Sequence, residues 1–216
     1  MSNVVIAGAS GLIGSALCTI LDGHKLDILV RRPVGNLPDA ITQHVAEPSR
    51  WPEIIMALSP DIAISCLGTT WKKSGKDASQ FRAVDKDLVL AFAMATHLAG
   101  ASQFIAVSSV GATKDTGNLY LRTKGEVEDS LALLAFDRLD IMRPGLLTGD
   151  RRNDRRLGER AAIMVAPIID RLIPGAFSRF RSIPAFTVAR AIAKLVGNGT
   201  SGRFIHENEA IRSLAS

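Results

Sequence analysis

The chain has 216 residues, 47% hydrophobic and 22% charged, which suits one folded domain and excludes wholesale disorder. Lys plus Arg is 26 against 21 for Asp plus Glu, a net charge of +5 that admits anionic partners of several kinds. Two cysteines exclude a disulfide framework, and no apolar run reaches the roughly 18 residues that a membrane span needs.

Strand-like and helix-like stretches alternate from the start. Asn3–Gly8 is a β-branched strand, and Gly11–Leu21 carries apolar residues at Leu12, Ile13, Ala16, Leu17, Ile20 and Leu21, one face of a helix. Leu26–Val30 is a second strand and Ile41–Val45 a weaker third; Trp51–Leu58 reads as a helix entered through Pro52. Asp61–Cys66 is the next buried strand, followed by a Gly/Ser/Lys-rich loop, 68–79, and a helix over Val84–Ala99 that ends at Gly100. Gln103–Val107, Tyr120–Ala135 and Arg138–Met142 give strand, helix and strand, the last stopped by Pro144-Gly145. Beyond it the pattern predicts helices over Arg156–Leu172 and Phe186–Val196 and a short strand at Arg203–His206. This order specifies an α/β domain over residues 1–216, a doubly wound parallel sheet of the Rossmann type with a small C-terminal helical lobe on the substrate side from about 150.

Gly8-Ala9-Ser10-Gly11-Leu12-Ile13-Gly14 sits between the first strand and the first helix, where glycines allow a tight turn and close approach of a pyrophosphate. The helix amides and the positive end of its dipole then hold the diphosphate, so Gly8, Ser10, Gly11, Leu12, Ile13 and Gly14 are expected at a dinucleotide. The spacing is G-x-x-G-x-x-G. An NAD site would place an acid after the second strand to accept from the ribose. Here Arg31-Arg32-Pro33 follows Val30, and two guanidiniums suit a 2′-phosphate, which predicts NADP(H) over NAD(H).

Tyr120, the single tyrosine, lies four residues before Lys124, so both share a helical face. Ser108-Ser109 ends the fifth strand, at the carboxyl edge where open α/β sheets bind ligands. A phenol with a reference pKa of about 10 is a poor base near neutrality, and a neighbouring ammonium favours its ionised form. Hydroxyl, phenol and cation together fit chemistry at a carbonyl.

On these residues the chain resembles a short-chain dehydrogenase/reductase. It is similar to the atypical branch that includes the Tat-interacting protein and its bacterial relatives. The resemblance is carried by Gly8–Gly14, Arg31-Arg32, Cys66–Thr70, Val84-Asp85-Lys86-Asp87, Ser108-Ser109, Leu119–Glu128, Arg143-Pro144-Gly145 and the closing Glu207–Ile211 segment. It implies an NADP(H)-dependent oxidoreductase with Ser109, Tyr120 and Lys124 as the catalytic group. Ser109 is preferred over Ser108 because the family's active serine directly precedes an apolar-glycine turn, here Val110-Gly111. It also implies Gly68 and Thr69 along the cofactor, Lys124 on the nicotinamide ribose, and Pro144, Gly145 and Leu146 beside the nicotinamide. Two features depart from the family pattern: Val45-Ala46-Glu47 lacks the aspartate often placed near adenine, and the family's catalytic asparagine has no recognisable counterpart.

Eight arginines and three acids fall within Arg151–Arg181, which therefore holds the whole basic excess. Within it, Arg151-Arg152-Asn153-Asp154-Arg155-Arg156 has no interleaved aromatics and argues for a solvated loop or an anionic small molecule rather than nucleic acid. The apolar stretch Ala161–Ile173 could cover the site or contact a second subunit, and Trp71-Lys72-Lys73 reads equally as a lid or a surface turn. Cys18 and Cys66 read as small buried residues, and the four histidines lack metal-site spacing. The expectation is a cytoplasmic monomer or small homo-oligomer, with no metal, no nucleic acid and no membrane span. Two further readings stay open: a non-catalytic NADPH sensor, and a sugar-nucleotide epimerase-like enzyme, the latter disfavoured by the short chain left after the sixth strand.

Overall fold

The computed structural model describes residues 1–149 and 180–216. Strands β1 (Asn3–Ala7), β2 (Lys25–Val30), β3 (Ile41–Val45), β4 (Ile62–Ser65), β5 (Gln103–Val107), β6 (Arg138–Arg143) and β9 (Gly202–Glu207) form a seven-stranded sheet in the order β3-β2-β1-β4-β5-β6-β9. Every pairing is parallel. Two-residue strands β7 (Leu147–Thr148) and β8 (Ile183–Pro184) pair separately. The direction of winding reverses between β1 and β4, and the crevice above their carboxyl ends is the expected ligand position in such a sheet.

Alternation along the strands divides the core between the two faces. Val4 and Ile6 of β1 pack with Ile13 and Leu17 of α1 (Leu12–Ile20) and with Val188 and Ile192 of α6 (Ala185–Leu195). Val5 and Ala7 point to the other face, among Ile55 of α2 (Trp51–Leu58), Phe92 of α4 (Leu88–Leu98) and Leu131 of α5 (Leu119–Ala132). Full burial of side chains of this size contributes about 1.5–3 kcal/mol each, so both helix layers are firmly seated. β3 is the exposed edge, held partly by His44, whose Nε2 lies 2.7 Å from the buried Asp27 carboxylate of β2.

The region after β4 differs most from the pattern in the sequence. The helix expected from Val84 starts at α3 (Ala78–Arg82), because the Asp77 side chain accepts from the Ser79 and Gln80 amides and caps it. It then passes through a π-helical segment, Ala83–Asp87, before α4. A last helix, α7 (Asn208–Ala215), follows β9 directly. The described part of the expected C-terminal lobe, 180–216, adds β9 to the sheet edge beside β6 and lays α6 along α1. The expected helix Arg156–Leu172, the apolar stretch Ala161–Ile173 and all but one of the clustered arginines lie outside the described residues.

β6 and β9 are joined by a buried charge cluster near the end of the sheet opposite the glycine turn. Arg138 donates from Nε to Asp140 at 2.6 Å, His206 Nε2 lies 2.9 Å from the same carboxylate, and Gln103 donates to it at 3.1 Å. Burial pushes the Asp140 carboxyl up, but the hydrogen bonds from His206, Arg138 and Gln103 outweigh it and hold the group below the usual carboxylate range.

Candidate active site

The glycine turn leaves β1 and opens α1. Gly8 has φ +90°, and a Cβ there would lie 2.5 Å from the Cys66 backbone, so only glycine fits this close pass against the end of β4. Gly11 is the N-cap of α1; it offers no side chain to the helix amides, and no acidic residue stands in the first turn. Amides without a side-chain acceptor at a helix start, over a bare backbone cradle, fit the diphosphate of a dinucleotide. Ser10 is exposed, whereas the Ile13 side chain is buried in the core, so Ile13 can meet a ligand only through its backbone. Arg31 and Arg32 stand exposed just past the end of β2, with no ion pair among the described residues.

Lys124 and Asp85 form the electrostatic centre of the site. The Lys124 Nζ lies 2.9 Å from Asp85 Oδ1, with side-chain exposures of 6% and 0%. Asp85 Oδ2 accepts the Thr69 amide at 2.6 Å, and a Cβ built on Gly68 would be 3.4 Å from Asp85 Oδ1 and 3.7 Å from the lysine nitrogen. The expected cofactor residues Gly68 and Thr69 and the expected catalytic Lys124 therefore meet around one carboxylate. Asp85 lies in the π-helical segment, a kind of winding that recurs at functional sites, and is a candidate to which the sequence pattern assigns no role.

The serine loop is brought to the same helix by backbone contacts. Val110 N–H donates to Pro144 O at 3.0 Å, and Thr113 N–H to Leu121 O at 3.2 Å, one residue beyond Tyr120. Gly125 permits this approach, because a Cβ there would stand 2.4 Å from the Thr113 carbonyl carbon. The two serines differ in what occupies them. Ser108 is buried and its hydroxyl donates to Glu128, which is itself held by Arg143 through Nε and Nη2. Ser109 is half-buried with only a 3.4 Å contact to the Val110 carbonyl, which leaves its hydroxyl available. Pro144, Gly145 and Leu146 form a pinned turn: Gly145 N–H donates to buried Asn208 at 3.4 Å, and Ile183 N–H donates to Leu146 O at 2.8 Å. Asn208 is a second anchor whose role the sequence reading did not assign.

A salt-bridge cluster on the outer side fixes α5 against the π-helical segment. Glu126 accepts from Arg82 at 2.7 Å and from Lys86 at 2.6 Å. The Arg82 hydrogen bond, then that of Lys86, holds the Glu126 carboxyl at about 2, against an opposing push from burial. A carboxyl lowered on folding stabilises the fold fully above its ordinary range and loses that contribution as pH falls through the folded value. Glu126→Gln should therefore destabilise the protein at pH 7 by about 1–2 kcal/mol after allowance for a partly solvated cluster, with the difference from wild type vanishing between about pH 4.5 and 2. Urea unfolding across that pH range reads it; a constant difference would remove Glu126 as the cause. Burial pushes the thiols of buried Cys18 and half-buried Cys66 up to about 11 and about 12, so neither is a ready nucleophile.

Comparison with known proteins agrees with this geometry. The model of the NAD dependent epimerase/dehydratase family matches residues 4–126, more than half of the sequence. The chain belongs to this family. Within it, Protein HTATIP2 of Rattus norvegicus is 35% identical over 221 residues, spanning 98% of this chain and 88% of its own length. Protein fmp52, mitochondrial, of Aspergillus niger is 34% identical over 166 residues, spanning 72% of this chain and 70% of its own. The Bordetella bronchiseptica enzyme WbmH, whose structure is a complex with NAD+, shares the fold with a TM-score of 0.70 at 17% identity, covering 100% of this chain and 79% of that one. The similarity to the Tat-interacting branch thus runs the length of the sequence. The family match spans the glycine turn, the end of β4 and the start of the Tyr–Lys helix. Among the described residues no cluster of His, Cys, Asp or Glu could hold a metal, and no helix is long and apolar enough to cross a membrane.

Proposed function

We propose that the protein is an NADP(H)-dependent oxidoreductase of the short-chain dehydrogenase type, reducing a small carbonyl substrate. The observation that carries this reading is the convergence on α5. Tyr120 and Lys124 stand one turn apart, Lys124 meets Gly68 and Asp85, and the Ser109 loop is tied to Leu121. A dinucleotide along Gly8–Gly14 and Gly68–Thr69 would bring its nicotinamide toward Lys124 and the Pro144–Leu146 turn. When bound in reduced form it supplies the hydride for the carbonyl carbon. Tyr120 donates its hydroxyl proton to the carbonyl oxygen as the C=O π bond breaks, and solvent then restores the phenol. Ser109 donates a hydrogen bond to the same oxygen and fixes its direction, while Lys124 holds the ribose and places positive charge beside the phenol. Asp85 orients Lys124 and, through the Thr69 amide, the loop that borders the cofactor.

The preference for the phosphorylated cofactor rests on Arg31 and Arg32, two exposed guanidiniums that form no ion pair among the described residues and follow β2, where the adenosine ribose would lie. Arg31→Ala should weaken NADPH binding by about tenfold and NADH binding by less than twofold. Fluorescence titration with both cofactors measures this; equal loss for the two would remove the phosphate clamp.

A further inference from the structure

Resting on that reductase reading, we propose that the substrate is a planar aryl ketone or aryl aldehyde, and that Trp71 is the residue that selects it. The phenol of Tyr120 ends a continuous run of aromatic rings. Its ring centroid lies 5.9 Å from that of Phe81 at 51°, and Phe81 lies 6.3 Å from Trp71 at 64°. Phe81 is fully buried as the spine of this run, whereas its two ends are open, Tyr120 at 40% and Trp71 at 45% exposure. The other tryptophan, Trp51, is buried in the core, whereas Trp71 and Tyr120 are the two exposed ends of the run through Phe81.

The backbone at Trp71 is held in a turn. Its carbonyl accepts the Lys76 amide at 2.9 Å and the Ser74 hydroxyl at 2.9 Å, and Ser74 is itself buried under the turn. Trp71 and Tyr120, both partly exposed and both packed on buried Phe81, together offer an aromatic surface to a ligand. The serine loop also carries apolar groups: a Cβ on Gly111 would touch Leu121 and Phe180 at 3.7 Å each, and Leu146 is exposed. Aromatic faces recognise flat rings by offset or edge contacts. The ring run therefore positions an aryl group against Trp71 with its attached carbonyl at Tyr120.

The experiment uses 2-acetylnaphthalene and glyceraldehyde as aryl and hydrophilic probes. Two readouts apply: NADPH oxidation, and calorimetric binding of 2-acetylnaphthalene to the NADP+-loaded protein, which cannot reduce it. Wild type should turn over the naphthyl ketone with a kcat/KM about tenfold or more above that of glyceraldehyde. Trp71→Ala should bind the ketone about tenfold more weakly and raise its KM about tenfold with kcat little changed, and Trp71→Phe should recover most of it. Preference for glyceraldehyde, or unchanged naphthyl binding in Trp71→Ala, overturns the aryl site and leaves the reductase reading standing. Trp71-dependent naphthyl binding without turnover of either carbonyl supports the aryl site and overturns the reductase reading instead.

Discussion

Tyr120→Phe should bind NADPH with wild-type affinity and reduce carbonyl substrates about 10²–10⁴-fold more slowly, the range that positioned acid catalysis supplies. The substitution removes one hydroxyl from a ring that is already 40% exposed and keeps its tilted contact with Phe81, so neither fold nor cofactor cradle is disturbed. The loss should appear in kcat as well as in kcat/KM, because proton donation occurs only as the carbonyl is reduced. Ser109→Ala should fall short of this, since it removes an orienting hydrogen bond and not the transferred proton. Retained turnover in Tyr120→Phe would reject the phenol as the acid. A wild-type protein that binds NADPH tightly and turns over no carbonyl would instead be a cofactor sensor, for which the available Ser109 hydroxyl and the exposed phenol have no evident use.

What could be read in the sequence is what local chemistry dictates. Strands β1 to β6 and the glycine turn follow from β-branched runs and from a backbone that must pass within van der Waals distance of Cys66 at positive φ, a demand that selects glycine at position 8. The Tyr120–Lys124 pair is legible because helical spacing alone puts the two on one face. Asp85 was not, because its role depends on a π-helical turn and on Thr69, sixteen residues away. The periodicity of 84–99 is equally compatible with a plain surface helix, and the one local signal, Asp77 ahead of Ser79 and Gln80, marks where that helix begins and nothing about its winding. The family resemblance preferred Ser109 over Ser108, and the physical difference between them lies in what each touches: Glu128, twenty residues on, accepts from Ser108. Asn208 and the Trp71–Phe81–Tyr120 run belong to the same class, contacts between segments distant in sequence.

Lys124→Met should unfold about 3–5 kcal/mol more easily than wild type, because it leaves the Asp85 carboxylate buried with only the Thr69 amide as partner. For a chain of this size that is a fall in Tm of very roughly 6–20 °C. The double variant Asp85→Asn/Lys124→Met should recover most of the loss, since an amide can still accept from Thr69 and no isolated charge remains. Thermal unfolding of the two single variants and the double variant, without added cofactor, gives the coupling directly. A Lys124→Met variant within about 1 kcal/mol of wild type would mean that Asp85 reaches water or another cation, and the pair would not be the anchor of the site. The same cycle separates structure from function. The double variant should fold yet bind cofactor weakly, because the cation that would hold the ribose is gone. The buried pair is thus a stabilising element only in the sense that either half alone is costly; its net use is to hold one ammonium at a fixed point beside Gly68, with Tyr120 one turn away.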